Sequence, residues 1–184
     1  MRAVLAAFLA LSLGACAGDG LATATAPSAG NWTIERSVDR ISGSPAARVY
    51  LVTSAKNNRG QSGRGLLQLM CYDATPVVRF AFDFKVGINK TAYLEYRFDA
   101  NPGRKPNADI LPDHTVIMIE EKGEVTKFVD ELAASGILFV RVSSLTGMRT
   151  EAEFRTPGAP VAIDAAYVDC PLRRSAASAR EPIG

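Results

Sequence analysis

The sequence predicts an α+β fold: about eight mostly antiparallel strands, in one sheet or a two-layer sandwich, with two short helices packed against it and one disulfide. Three observations predict it. Apolar and polar residues alternate in several short runs, most clearly VVRFAFDF and AYLEYRFD, which is the period of a half-buried strand. Two stretches, GEVTKFVDELAASG and PGAPVAIDAAYVDC, repeat their apolar residues at helical spacing instead. Two cysteines, Cys71 and Cys170, remain as thiols once the start of the chain is accounted for.

That start reads as a leader. Residues 1–15 carry Arg2, the apolar run AVLAAFLALSL and then small residues, a secretory layout too short for a permanent span, which takes roughly 20 apolar residues. Leu13-Gly14-Ala15-Cys16 resembles a bacterial lipobox, in which Cys16 is acylated and heads the mature chain. Ala15-Cys16-Ala17 is also an A-x-A site, cut after Ala17. On the first reading the protein is a lipoprotein, and the resemblance to bacterial lipoproteins implies sorting by the residue after the cysteine: Ala17 is not the aspartate of inner-membrane retention, so an anchor on the periplasmic side of the outer membrane is expected. The second leaves it soluble in the periplasm. Residues 16–30 then form the lipidated cysteine and a flexible tether of small, nearly uncharged residues. Residues 31–171 form a single β-rich domain of ordinary one-domain length. Residues 172–184 form a basic tail, in which Arg173, Arg174 and Arg180 outnumber Glu181, either frayed in solvent or touching anionic headgroups.

Within the domain, WTIERSV, ARVYLVTSA and LLQLMCY read as strands, with RGQSGRG, from Arg59 to Gly65, as the hairpin loop before the third. A phosphate cradle would need Gly-Lys-Ser/Thr leading into a helix, and a strand follows instead. In VVRFAFDF, Val78, Phe80, Phe82 and Phe84 take one face and Arg79, Ala81 and Asp83 the other; in AYLEYRFD, Ala92, Leu94, Tyr96 and Phe98 oppose Tyr93, Glu95, Arg97 and Asp99. With KVGINKT as the turn, these two runs read as an antiparallel hairpin whose wet face pairs Arg79, Asp83, Glu95 and Arg97 across the strands. TVIMIE, ILFVRVSS and RTEAEFR complete the strands, ILFVRV as a central one buried on both sides. The first helix places Val125, Phe128, Val129 and Leu132 on one face and stops at a left-handed Gly136. The second carries Ile163, Ala166, Tyr167 and Cys170, with Pro160 in its first turn and Pro171 ending it.

Either cleavage route removes Cys16 from the thiol pool. Cys71 and Cys170 then have a single intramolecular pairing in an oxidising compartment, so a Cys71–Cys170 disulfide is expected. A reactive or metal-binding thiol would need companions, but there is no CxxC and the only histidine is His114. His114, behind Pro112-Asp113, reads as a polar residue at a strand start.

Catalytic patterns are sparse. A net charge of +2 with scattered basic residues gives no nucleic-acid footprint. There is no Gly-x-Ser-x-Gly turn, and Glu124, Asp130 and Glu131 fall on the polar side of the first helix. No cofactor or metal is expected, and the chain reads as a non-enzyme.

WTIERSVDRISGSPAARVYL, CYDATPVVRFAFDF, YLEYRFD, KFVDELAASGILFVRV and AEFRTPGAPVAIDAAYVDC, taken in order, span most of Trp32 to Cys170. Together they resemble a family of small periplasmic proteins associated with bacterial type VI secretion, the TagO/VasI type. The resemblance implies a β-rich exported domain held by one disulfide, with an accessory or binding role and no catalytic residues to carry over. The expected function is a lipid-tethered envelope module presenting a sheet face to a protein or cell-wall partner, with Arg79, Tyr93 and Arg97 as the candidate interaction face. The alternative is a small-molecule or lipid carrier, its sheet curled around a cavity lined by Phe80, Phe82, Phe84 and Phe98. A hydrolase of envelope polymers would need clustered carboxylates or a histidine-based dyad.

Overall fold

The computed structural model describes residues 29–38, 43, 45–87 and 92–172. The leader, Cys16, most of the tether and the tail from residue 173 lie outside the described residues. The elements run β1 (Thr33–Val38), β2 (Pro45–Asn57), β3 (Ser62–Tyr72), β4 (Thr75–Phe82), β5 (Ala92–Phe98), β6 (Asp109–Ile110), β7 (Val116–Ile119), α1 (Lys122–Ala133), β8 (Ile137–Ser144), β9 (Arg149–Arg155) and α2 (Ala159–Ala166). Every expected strand and both helices form, and the short β6 is added.

All strands belong to one antiparallel sheet in the order β5-β8-β9-β2-β3-β4-β7-β6, with β1 also paired to β2. The long β2 has two partners on one edge: β1 takes its first half and β9 its last residues, Ala55 to Asn57. Between those contacts β2 and β9 diverge. Trp32, just ahead of β1, is buried, and its indole Nε1 donates to the Thr156 carbonyl beyond β9 at 3.2 Å. Gly30 abuts the same segment so closely that a Cβ there would stand 2.1 Å from the Pro157 oxygen, and its φ of +58° lies in the left-handed region that glycine adopts without strain.

The sheet curls around the helices. Four strands separate β5 from β4 in the sheet order, and a flat sheet at about 4.8 Å per strand would hold those two roughly 24 Å apart. Yet the single ring of Phe128 on α1 lies 5.9 Å from Phe80 of β4 and 5.2 Å from Phe98 of β5. Residues 99–108 pass from one end of the sheet to the other. On the way, Arg104 exchanges backbone hydrogen bonds of 2.9 and 2.7 Å with Tyr96, extending the edge of β5. Its guanidinium pairs with Glu131 on α1. Inside the curl α1 packs against β4, α2 against β2 and β3, and the helices against each other. The inward residues of the strands, with Val125, Phe128, Val129 and Leu132 of α1 and Ala162, Ile163 and Ala166 of α2, form one core. Cys71 of β3 and Cys170 are joined by a disulfide, Cα to Cα 6.0 Å.

Several local expectations are corrected. VVRFAFDF and AYLEYRFD are not a hairpin: β4 lies between β3 and β7, and β5 pairs with β8. After β4 the chain stays with β7, because Phe82 N–H bonds Thr115 and Val86 N–H bonds His114, and Val86 is buried. The turn residues 88–91 lie outside the described residues. The four charges of the supposed wet face therefore find other partners: Asp83 bonds Arg64, Arg79 bonds Gln68, Arg97 stacks on Phe139, and Glu95 sits opposite Arg141.

ILFVRV is buried on one face only, because helices line just the inner side of the curl and Arg141 stands in solvent on the other. Helix α1 stops at Ala134, short of Gly136, whose N–H is held by Asp99 rather than by a left-handed turn. Helix α2 ends at Tyr167, so buried Cys170 lies beyond it on a non-helical extension. The β2–β3 hairpin loop is tighter than RGQSGRG suggests, since Ser62 already pairs with Lys56. Gly65 belongs to β3, where a Cβ would meet Ala55 at 3.2 Å and Ala152 at 3.4 Å as β9 closes in.

Candidate functional site

Residues 66–72 of β3 are apolar at both parities. Leu67, Leu69 and Cys71 turn inward, while Leu66, Gln68, Met70 and Tyr72 turn out, away from the helices. Strand pairing continues these outward residues into rows. Val52, Leu66 and Ala81 form one; Tyr50, Gln68, Arg79 and Met118 form the next; Met70 and Val77 lead the third. With Leu111 and Glu120 at one margin and Arg48, Arg64 and Tyr72 around the others, the rows line an open groove of about 970 Å³ on the outer face of β2, β3, β4 and β7. Val52 and Tyr72 are 51% and 61% exposed, so apolar surface that a sheet's wet side ordinarily lacks lies open to solvent here.

Charge is distributed unevenly around this floor. Arg64 Nε donates to Asp83 at 3.0 Å, which raises the guanidinium pKa and holds the Asp83 carboxyl below its ordinary value. Arg48 faces Glu35 at 3.9 Å. The Tyr50 phenol donates to the same Glu35 at 2.9 Å, which pushes its pKa up. Arg79, in the middle row and half-buried, instead donates through Nη1 to the neutral amide of Gln68 at 2.9 Å. The Arg79 charge is felt by Asp113, but that carboxylate is held low mainly by Thr115, whose Oγ1 and N–H donate to it at 2.8 and 3.1 Å. A second, smaller depression of about 360 Å³ marks the wedge between β2 and β9, beside Asn31, Glu153 and Arg155.

Of the residues singled out from the sequence, Arg79 stands in the groove. Tyr93 and Arg97 also point outward, but from β5 at the far end of the sheet order. Lys105 Nζ sits 3.8 Å over the Tyr93 ring, and the Arg97 guanidinium 4.8 Å over Phe139. The structure therefore does not join them to Arg79 as one face. The phenylalanines read as a cavity wall are packed on neighbours: Phe80 and Phe98 close on Phe128, and Phe82 stacks with Phe84 at 6.2 Å. His114 occupies a turn just ahead of β7, with φ +58°. Cys16 lies outside the described residues. Sequence pattern alone does not single out Leu66, Met70 and Met118: the two-sided apolarity of LLQLMCY marks the face of Leu66 and Met70, and Met118 joins it only through the pairing of β7 with β4.

Among the described residues no group of three or more His, Cys, Asp or Glu is arranged to hold a metal ion, and no helix is long and apolar enough to cross a membrane. No protein-family model matches the chain, and comparison with curated proteins and with solved structures likewise finds no match.

Proposed function

We propose that the chain is a non-enzymatic envelope module, exported, tethered to the outer membrane through a lipidated Cys16, and binding a protein partner with the outer face of its sheet. The observation that carries this reading is the groove over β3, where Met70, Met118, Tyr50, Tyr72 and three arginines meet around an apolar floor. Arg, Tyr and Met are the residue types enriched where proteins meet. The lipobox, the tether-like composition of residues 17–28 and the resemblance to the TagO/VasI type support the anchor and the accessory role.

Two measurements test it. Intact mass of the mature chain should show a start at Cys16 with added acyl mass; an unmodified start at Gly18 would remove the anchor. A photo-crosslinking residue in place of Met70 should capture an envelope protein that the same residue at Tyr93 does not. Equal capture from both positions would sink the assignment to this face.

A further inference from the structure

We infer that the groove takes an extended segment of another protein in which an acidic side chain lies between two apolar ones, its carboxylate seated on Arg79. This rests on the outer face being the binding surface, and adds the chemistry of what binds there. Arg48 and Arg64 have carboxylate partners at 3.9 and 3.0 Å, whereas Arg79 donates to an uncharged amide between two apolar rows; Asp113, whose carboxylate feels its charge, is bonded to Thr115, and Glu120 stands at the groove margin. A guanidinium offers five N–H donors in a planar fork, and Gln68 takes one of them. A guanidinium flanked by apolar rows and bonded only to an amide gains from a charge-assisted, bidentate carboxylate, which a partner laid in the groove can bring.

Spacing selects the form of that partner. Leu66, Gln68 and Met70 leave β3 on one face at alternate residues, roughly 6.6 Å apart, so the apolar, polar and apolar rows follow the same repeat. An extended chain laid over β3 presents its own alternate side chains at that repeat. Apolar, acidic and apolar residues at i, i+2 and i+4 then meet the Leu66, Arg79 and Met70 rows in turn. The groove is open along the sheet, whereas sites for small ligands enclose most of the ligand surface. A lone amphiphile would keep one flank in water here. A protein segment covers the floor with side chains and carries its other flank on its own fold.

The test uses random twelve-residue peptides displayed on phage and selected against the full chain. Selected peptides are then synthesised and their affinities measured for the wild type, Arg79→Gln, Arg79→Lys and Met70→Asp, each checked for a native circular dichroism spectrum and an intact disulfide. The inference expects an apolar-x-acid-x-apolar pattern. Arg79→Gln, or changing the peptide's acid to its amide, should each weaken binding at least about tenfold, and the two together little more than either alone. Arg79→Lys should fall between, because it keeps the charge without the fork. Peptides that lose affinity on Met70→Asp but ignore Arg79→Gln would overturn the acid-on-arginine pairing and leave the groove standing. Peptides indifferent to both substitutions, or no selected peptide at all, would overturn both readings.

Discussion

The phenol of Tyr167 donates a 3.0 Å hydrogen bond to the carbonyl of Val77, ninety residues away in the chain. Cys170, three residues on, is bonded to Cys71. Val77 pairs with Met70 and Pro76 with Cys71 in the β3–β4 ladder. Both links therefore fasten the end of α2 and the residues just beyond it to the same end of one hairpin, the hairpin whose outer side forms the groove floor.

Tyr167→Phe should cost about 1 kcal/mol, the net worth of one buried hydrogen bond. It should also change the alkaline limit of stability. Burial pushes the Tyr167 phenol above its ordinary value of 10.0, and burial, aided by the Glu131 charge, does the same for Tyr96. Above pH 10 the unfolded chain therefore releases phenolic protons that the folded chain retains. The unfolded state binds fewer protons, so stability is full below pH 10 and falls as pH rises above it. Urea midpoints at about pH 8 and about pH 11 should drop less for Tyr167→Phe than for the wild type. Equal drops would show that Tyr167 does not carry this dependence.

Removing the disulfide should cost more than removing the hydrogen bond. The bridge spans 99 residues, and closing a loop of that length is worth up to about 4.7 kcal/mol in the chain-entropy model, with measured losses of roughly 2–5. The double variant Cys71→Ser/Cys170→Ser should shift the denaturant midpoint accordingly, and reductant should shift the wild type to match. A wild-type midpoint unmoved by reductant, with both thiols shown to be free, would contradict this.

How much of this was legible in the sequence depends on the range of the force involved. Period-two alternation reports whether a residue faces core or solvent, a local property, so VVRFAFDF and AYLEYRFD announce themselves as strands with the correct inward residues. Alternation says nothing about which strand lies alongside, and the hairpin assumed between them fails for that reason. The disulfide was legible because, with Cys16 read as belonging to the processed start, Cys71 and Cys170 admit one pairing. The groove was half legible: LLQLMCY shows apolar residues at both parities, but only the register with β2, β4 and β7 reveals that Val52, Arg79 and Met118 join the outward set. The stop of α1 differs from the left-handed turn that Gly136 suggests: the N–H groups of Ala134 and Ser135 close the helix on the Glu131 and Leu132 carbonyls, and Gly136, beyond the cap, is held by the Asp99 side chain 37 residues away.

That side chain makes a sharp prediction. Asp99 has φ +47°, its carboxylate accepts the N–H groups of Gly136 and Ile137, the latter at 2.8 Å, and its own N–H donates to Ile137. Asp99→Ala loses the charge-assisted bonds and places a residue with a Cβ but no compensating acceptor in the left-handed region. A cost of about 2–4 kcal/mol is expected from the two effects together. Asp99→Asn keeps one acceptor oxygen and tolerates that φ, so about 1 kcal/mol is expected. Thermal unfolding of both variants checks the ordering; similar losses would mean that the charge, and not the backbone conformation, dominates.

Neighbours on β3 give the most direct test of which face is finished by the fold itself. Leu69 is fully buried against the inner core, and Leu69→Ala should cost about 2–5 kcal/mol through lost burial and a residual cavity. Met70 points to the groove and is half-buried, so Met70→Ala should cost under about 1 kcal/mol. Denaturant midpoints of the two variants should therefore differ severalfold in their displacement from the wild type. If Met70→Ala proved as costly as Leu69→Ala in the isolated chain, the outer rows would be covered in solution by the chain itself or by a second copy. The groove would then be an internal contact rather than a surface waiting for another protein.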